Sequence, residues 1–106
     1  MSKETAIEAI EQEVKNNKII LFAKGTKEQP RCGFSSATIQ ILNSYNIPFK
    51  VVNVLEDFEL KEALKDYSEW PTIPQLYVNS EFVGGCDITR ELHESGELKN
   101  LLANIT

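Results

Sequence analysis

The sequence predicts an α/β fold in which a four-stranded mixed β-sheet is flanked by helices. Three observations lead there. Two short apolar runs are separated by a helical pattern, as a βαβ crossover between parallel neighbours requires. A later pair of strand-like runs, split by Asn79-Ser80, reads as an antiparallel hairpin. Helical periodicity recurs before, between and after these runs.

The elements follow in chain order. Ile7, Ile10 and Val14 recur at helical spacing among Glu and Lys, which predicts an amphipathic helix over residues 3–16 with Ser2 as its cap. Ile19-Ile20-Leu21-Phe22 follows at once, and so continuous an apolar run predicts a central strand buried on both faces. A polar loop, residues 25–31, leads into a turn at Cys32. Ala37, Ile39, Ile41, Leu42 and Tyr45 then predict a second helix to about Ser44, broken by Asn46-Ile47-Pro48. Phe49, Val51, Val52 and Val54 predict a strand over residues 49–54, parallel to the first. Asp57 is placed to cap a helix carrying Leu60, Ala63, Leu64 and Tyr67. Residues 75–78 and 81–83 form the expected hairpin. Asp87 is read as the cap of a helix with Ile88 and Leu92, Gly96 as its end, and Leu98, Leu101, Leu102 and Ile105 as a last apolar face.

With 106 residues, one domain spanning 1–106 is expected, without repeats or low-complexity segments. A net charge of −5 argues against a nucleic-acid partner, since phosphate affinity rests on clustered Lys and Arg. No apolar run approaches a membrane span, and residues 1–17 are charged throughout, unlike a secretory or transit segment. Two cysteines in such a chain point to a reducing compartment, bacterial cytoplasm or an organelle matrix, with a structural Cys32–Cys86 disulfide as the alternative.

Cys32-Gly33-Phe34-Ser35 has the length and position of a redox C-x-x-C turn but carries one thiol. A second thiol would expel a mixed disulfide; Ser35 can hydrogen-bond or cap but cannot resolve one. Where a loop turns into a helix, the free N–H groups and the helix dipole stabilise a thiolate, with Lys24 and Arg31 expected to push the same way. The competing reading is a small buried hydrophobe, against which Pro30-Arg31 and Gly33 describe an exposed turn. Gly33 would allow close approach of a ligand, and Phe34 is an apolar surface beside the thiol or plain packing. Gly84-Gly85 ends a strand and Cys86-Asp87 begins a helix whose amides make an anion site. Cys86 can be a resolving thiol, a neighbour of a bound group, or packing. His93, the only histidine, reads as a solvated surface group, and Trp70 as a core or rim aromatic.

Lys24-Gly25-Thr26, Cys32-Gly33-Phe34-Ser35, Trp70-Pro71-Thr72-Ile73-Pro74-Gln75 and Gly84-Gly85-Cys86-Asp87, in this order, resemble the monothiol glutaredoxins of the CGFS class. The resemblance covers nearly the whole chain and implies a thioredoxin-like fold. It implies a glutathione site in which Thr72, Ile73 and a cis Pro74 meet the ligand and Ile73 pairs with its cysteinyl backbone. By the same resemblance Gly85 belongs to the ligand site, Lys24 and Lys61 take the glycyl carboxylate, the amides of Cys86 and Asp87 the γ-glutamyl carboxylate, and the Asp87 side chain the ammonium. Lys61 stands where the family often has Arg, so a point charge replaces a bidentate fork.

A [2Fe–2S] cluster needs four ligands, usually thiolates. In the resembled class two protomers supply one cysteine each, here Cys32, and two glutathiones supply the rest. The resemblance therefore implies a cluster-bound homodimer, an apo monomer, and delivery to apo iron–sulfur proteins, with BolA-like proteins as candidate partners. A weak glutathione-dependent disulfide oxidoreductase, in which Cys32 attacks a glutathionylated protein, is the alternative, and a non-redox interaction module a third reading. The loop at residues 25–31 is longer than in compact two-thiol relatives, a difference that would reposition glutathione against attack.

Overall fold

The structure, a computed structural model, describes residues 2–104. Its elements are α1 (Lys3–Asn16), β1 (Ile19–Ala23), α2 (Gly33–Asn43), β2 (Lys50–Asn53), a 3-10 turn (Val54–Glu56), α3 (Phe58–Ser68), β3 (Gln75–Val78), β4 (Glu81–Gly84), α4 (Cys86–Ser95) and α5 (Glu97–Ala103). The sheet runs β2-β1-β3-β4. β1 pairs in parallel with β2, Leu21 opposite Val51, and antiparallel with β3, Leu21 opposite Leu76. This is the mixed, thioredoxin-like sheet that the element order implies.

β1 is central, and all five of its residues are buried. Its alternation divides the interior in two. Ile20 and Phe22 face a core with Ala6, Ile10 and Val14 of α1 and Ala63 and Leu64 of α3, while Ile19, Leu21 and Ala23 face one with Ile39 and Leu42 of α2 and Leu98 and Leu102 of α5. Both faces of one strand are therefore covered, which is why its sequence shows no polar alternation.

The helix starts follow local chemistry. Ser2 caps α1 by accepting the Thr5 N–H, and Asp57 caps α3 by accepting the Glu59 and Leu60 N–H groups at 2.9 and 3.2 Å. Three elements differ from the expected ones, β4 by running one residue further, to Gly84. β2 starts at Lys50 and stops at Asn53 instead of running over 49–54, because Asn53 Oδ1 accepts the Leu55 N–H at 3.0 Å and turns the chain at Val54. The cap of α4 is Gly85, not Asp87; β4 runs through Gly84 straight into the helix, so Asp87 falls in the first turn, where its charge still suits the dipole. Gly96, left-handed at φ 86°, closes α4 as expected. In α5, Leu98 and Leu102 are buried and Leu101 is largely exposed; Ile105 lies outside the described residues. No helix among the described residues is long and apolar enough to cross a membrane.

Candidate functional site

Past Ala23 the chain makes a closed excursion and returns. Arg31 N–H donates to the Lys24 carbonyl at 2.8 Å, Thr26 N–H to Gln29 C=O at 3.1 Å, and Gln29 N–H to Thr26 Oγ1 at 2.9 Å. Gly25 makes the turn possible: its φ is 104°, and a Cβ there would stand 2.5 Å from the Arg31 nitrogen. Asn53 Oδ1, already holding Leu55, also accepts the Gly25 N–H at 2.9 Å, which ties the excursion to β2. Lys27 Nζ lies 4.0 Å from the centre of the Phe49 ring. The loop is thus pinned at several points, and its return sets Cys32 beside the end of β1.

Cys32 is the cap residue of α2, in extended conformation and half-buried. Its thiol is held below the ordinary value of 9.0, first by the Ser35 backbone N–H, against some burial, then by the Phe34 N–H, the Ser35 hydroxyl and the Lys24 charge. Arg31, expected to push the same way, is exposed and does not figure among these causes. Ser35 is fully buried, and its Oγ accepts the Lys24 N–H at 3.0 Å. The residue that replaces a second thiol therefore fastens the thiol's helix to the end of β1.

Cys32 opens on a cleft of about 520 Å³. Lys24 lies at one side and Phe34, 60% exposed, at another. Lys61 and Lys65 reach it from α3, and residues 70–74 form a wall in which the Ile73–Pro74 bond is cis. Gly85, Cys86, Asp87 and Ile88 close it at the start of α4. Of the residues expected to meet a ligand, Lys24, Cys32, Phe34, Lys61, Thr72, Ile73, Pro74, Gly85, Cys86 and Asp87 line this space, while Gly33 faces open surroundings. Cys86 is buried with a free thiol, its Sγ 3.5 Å from Arg90 Nη2. The Asp87 side chain is exposed, with Arg90 Nη1 3.7 Å away.

One residue of the cleft, Lys65, is absent from the expected set, and Trp70, expected in the core or at a rim, takes the rim. Lys65 stands four residues past Lys61, one turn along the same helix face, and that spacing was the available signal. Trp70 is half-buried, its ring tilted against Phe82 at 5.6 Å and its Nε1 buried without a partner. Its place next to Pro71 in the wall follows only from the chain's path. His93 is exposed, as read, but shares a 2.6 Å hydrogen bond with the Tyr45 hydroxyl.

Three lysines, two helix starts and a stabilised thiolate around one cleft suit a small thiol ligand with several carboxylates. Among the described residues no group of three or more His, Cys, Asp or Glu could hold a metal ion. The sequence profile described as Glutaredoxin matches residues 19–83. Over 97 residues, 92% of this chain and 91% of the relative, the sequence is 57% identical to a probable monothiol glutaredoxin 2 of Rickettsia conorii. This chain is a monothiol glutaredoxin.

The mitochondrial monothiol glutaredoxin-5 of Lachancea kluyveri is 53% identical over 105 residues, covering 96% of this glutaredoxin and 73% of the relative. The solution structure of reduced poplar apo GrxS14 superposes with a TM-score of 0.80 at 51% identity, covering 91% of this chain and 88% of that one. In this glutaredoxin the fourth position of the redox turn thus has a structural office of its own, the Ser35 bond to Lys24, beyond the absence of sulfur.

Proposed function

We propose that this glutaredoxin binds glutathione in the Cys32 cleft and, as a glutathione-bridged homodimer, carries a [2Fe–2S] cluster for transfer to apo iron–sulfur proteins, with BolA-like proteins as candidate partners. The observation that carries the reading is the donor set. Cys32 is the half-exposed thiol of the cleft, Cys86 lines it but is buried, Ser35 is buried where a second thiol of the turn would stand, and the described residues hold no metal-ligating group of three or more. One protein thiolate and one glutathione thiolate per protomer make the four that such a cluster takes.

Each residue has a task in that reading. Lys24, Lys61 and Lys65 attract the glycyl carboxylate, the amides of Cys86 and Asp87 receive the γ-glutamyl carboxylate, and Asp87 faces the ammonium. Ile73 offers its backbone to the cysteinyl unit as an added strand would. Cys32, kept in part as thiolate by the amides of Ser35 and Phe34, supplies the protein sulfur without a base. Half of the ligands are exchangeable, so the cargo leaves without a protein bond other than that to Cys32 having to break.

Anaerobic reconstitution with iron, sulfide and glutathione tests it, read by visible absorption and size-exclusion mass. A coloured dimer that needs both glutathione and Cys32, and is lost in Cys32→Ser, is expected. A colourless monomer that reduces glutathionylated protein at a useful rate would overturn it in favour of a monothiol oxidoreductase.

A further inference from the structure

Gln75 begins β3 directly after Pro74, is fully buried, and contributes nothing to the lining of the cleft. Its Nε2 donates to two backbone carbonyls, Trp70 C=O and Thr72 C=O, each at 3.1 Å. Both neighbours are acceptors, so the amide has one workable orientation, NH₂ toward the wall. That leaves Oε1 buried without a partner, an arrangement that costs free energy and yields only the two bonds to the wall. Trp70 is gripped from the other side too: its N–H donates at 3.1 Å to Ser68 Oγ, whose own hydroxyl donates to the Leu64 carbonyl at 2.9 Å. The front of the wall abuts Gly85, where a Cβ would stand 3.2 Å from the Pro74 carbonyl and 3.5 Å from Trp70 Nε1.

We infer that Gln75 is the positioning residue of the ligand wall, its two-pronged amide fixing residues 70–74 at the distance from Cys32 that bound glutathione requires. The inference rests on the glutathione reading and adds to it a residue that touches no ligand. Leu would fill a similar volume without donors, freeing the Thr72 carbonyl and leaving Trp70 C=O only the 3.4 Å approach of the Ser68 hydroxyl. Ser68 completes the clamp from α3, so its loss moves the wall in the same sense but less, since the bonds to Gln75 remain.

The test compares wild type, Gln75→Leu and Ser68→Ala with Leu102→Ala, a destabilised variant in the opposite core. Each is equilibrated with reduced and oxidised glutathione, and the fraction of Cys32–glutathione mixed disulfide is measured by intact mass. In that exchange the Cys32 thiolate attacks oxidised glutathione, forms one S–S bond, breaks another and releases one glutathione thiolate. Alkylation of Cys32 by iodoacetamide, too small to need the wall, is timed in parallel, and the fluorescence of Trp70, the single tryptophan, reports the wall itself.

The expected result is a mixed-disulfide equilibrium weakened about tenfold in Gln75→Leu and about threefold in Ser68→Ala. The Trp70 emission shifts in both, alkylation stays within about twofold of wild type, and Leu102→Ala leaves all three readouts unchanged. If Gln75→Leu does not fold, Ser68→Ala carries the test. Wild-type behaviour in the folded wall variants, or an equal loss in Leu102→Ala, overturns the positioning role alone. A wild-type protein that forms no mixed disulfide overturns the glutathione reading and this inference together.

Discussion

Removing the Ser35 hydroxyl, as in Ser35→Ala, separates what the fourth position of the redox turn does from what it lacks. Two losses are expected. The Lys24 N–H loses its acceptor at 3.0 Å in a part-buried position, which costs about 1 kcal/mol of folding stability. The Cys32 thiolate loses one of its stabilising donors and keeps the larger one, the Ser35 backbone N–H, along with that of Phe34. A hydrogen bond to a charged group contributes about 1.5–3 kcal/mol when shielded, and solvent at the half-exposed sulfur reduces that. The thiolate-to-thiol ratio at neutral pH should therefore fall about three- to tenfold.

The direction of the pH dependence follows from the lowered thiol. Stability contributed by a group whose folded pKa lies below its unfolded value is fully present above the unfolded value and lost as pH falls through the folded one. Ser35→Ala should accordingly lose most stability above the ordinary thiol value of 9.0, and less once pH has fallen below the folded value, where only the Lys24 bond is missed. Urea unfolding across that range and a thiolate absorbance titration measure the two parts. An unchanged titration curve would refute the hydroxyl's role at the sulfur, and a stability loss independent of pH would leave Lys24 as its only partner.

The remaining predictions concern the approach to the site. Gly25→Ala should cost about 1–3 kcal/mol, because a Cβ meets backbone within 3 Å at a φ of 104°; an unshifted denaturation midpoint would show that the loop can relax. Asp57→Ala should cost about 1 kcal/mol through the two amides it caps at the start of α3, read in the same unfolding experiment. Lys24→Met should slow Cys32 alkylation less than Ser35→Ala does, since the Lys24 charge is the last of the contributions to the thiolate, yet weaken the glutathione mixed disulfide more.

The elements legible in the sequence were those set by local chemistry. β1 stood out because a strand covered on both faces has no reason to carry a polar residue. The caps at Ser2 and Asp57 stood out because their side chains serve the amides two or three positions ahead. The misplaced cap at Asp87 shows the limit of that reasoning: an N-capping residue type sat two places late because β4 left only Gly85 to turn in. Residues 32, 73, 74, 86 and 87 were recognisable as motifs. The burial of Ser35 was not, since its partner Lys24 is eleven positions away and the contact depends on a loop that closes on itself. Lys65 left a trace in its helical spacing from Lys61, whereas the place of Trp70 in the cleft depends on the path of the wall and leaves no periodic one.

The division of the interior by β1 has a further consequence. Cys32 rides on α2, whose apolar face belongs to one core, while Lys61 and Lys65 ride on α3, whose face belongs to the other. Sulfur and ammonium groups thus meet at a seam between two separately packed halves, and their spacing is measured through the thickness of one five-residue strand. Lys61 and Lys65 therefore answer to the packing beneath α3, while the thiol, held by the Ser35 and Phe34 amides of its own helix turn, does not depend on that core. Ligand preference in such a protein thus has a screw to turn outside the cleft, in the core beneath α3.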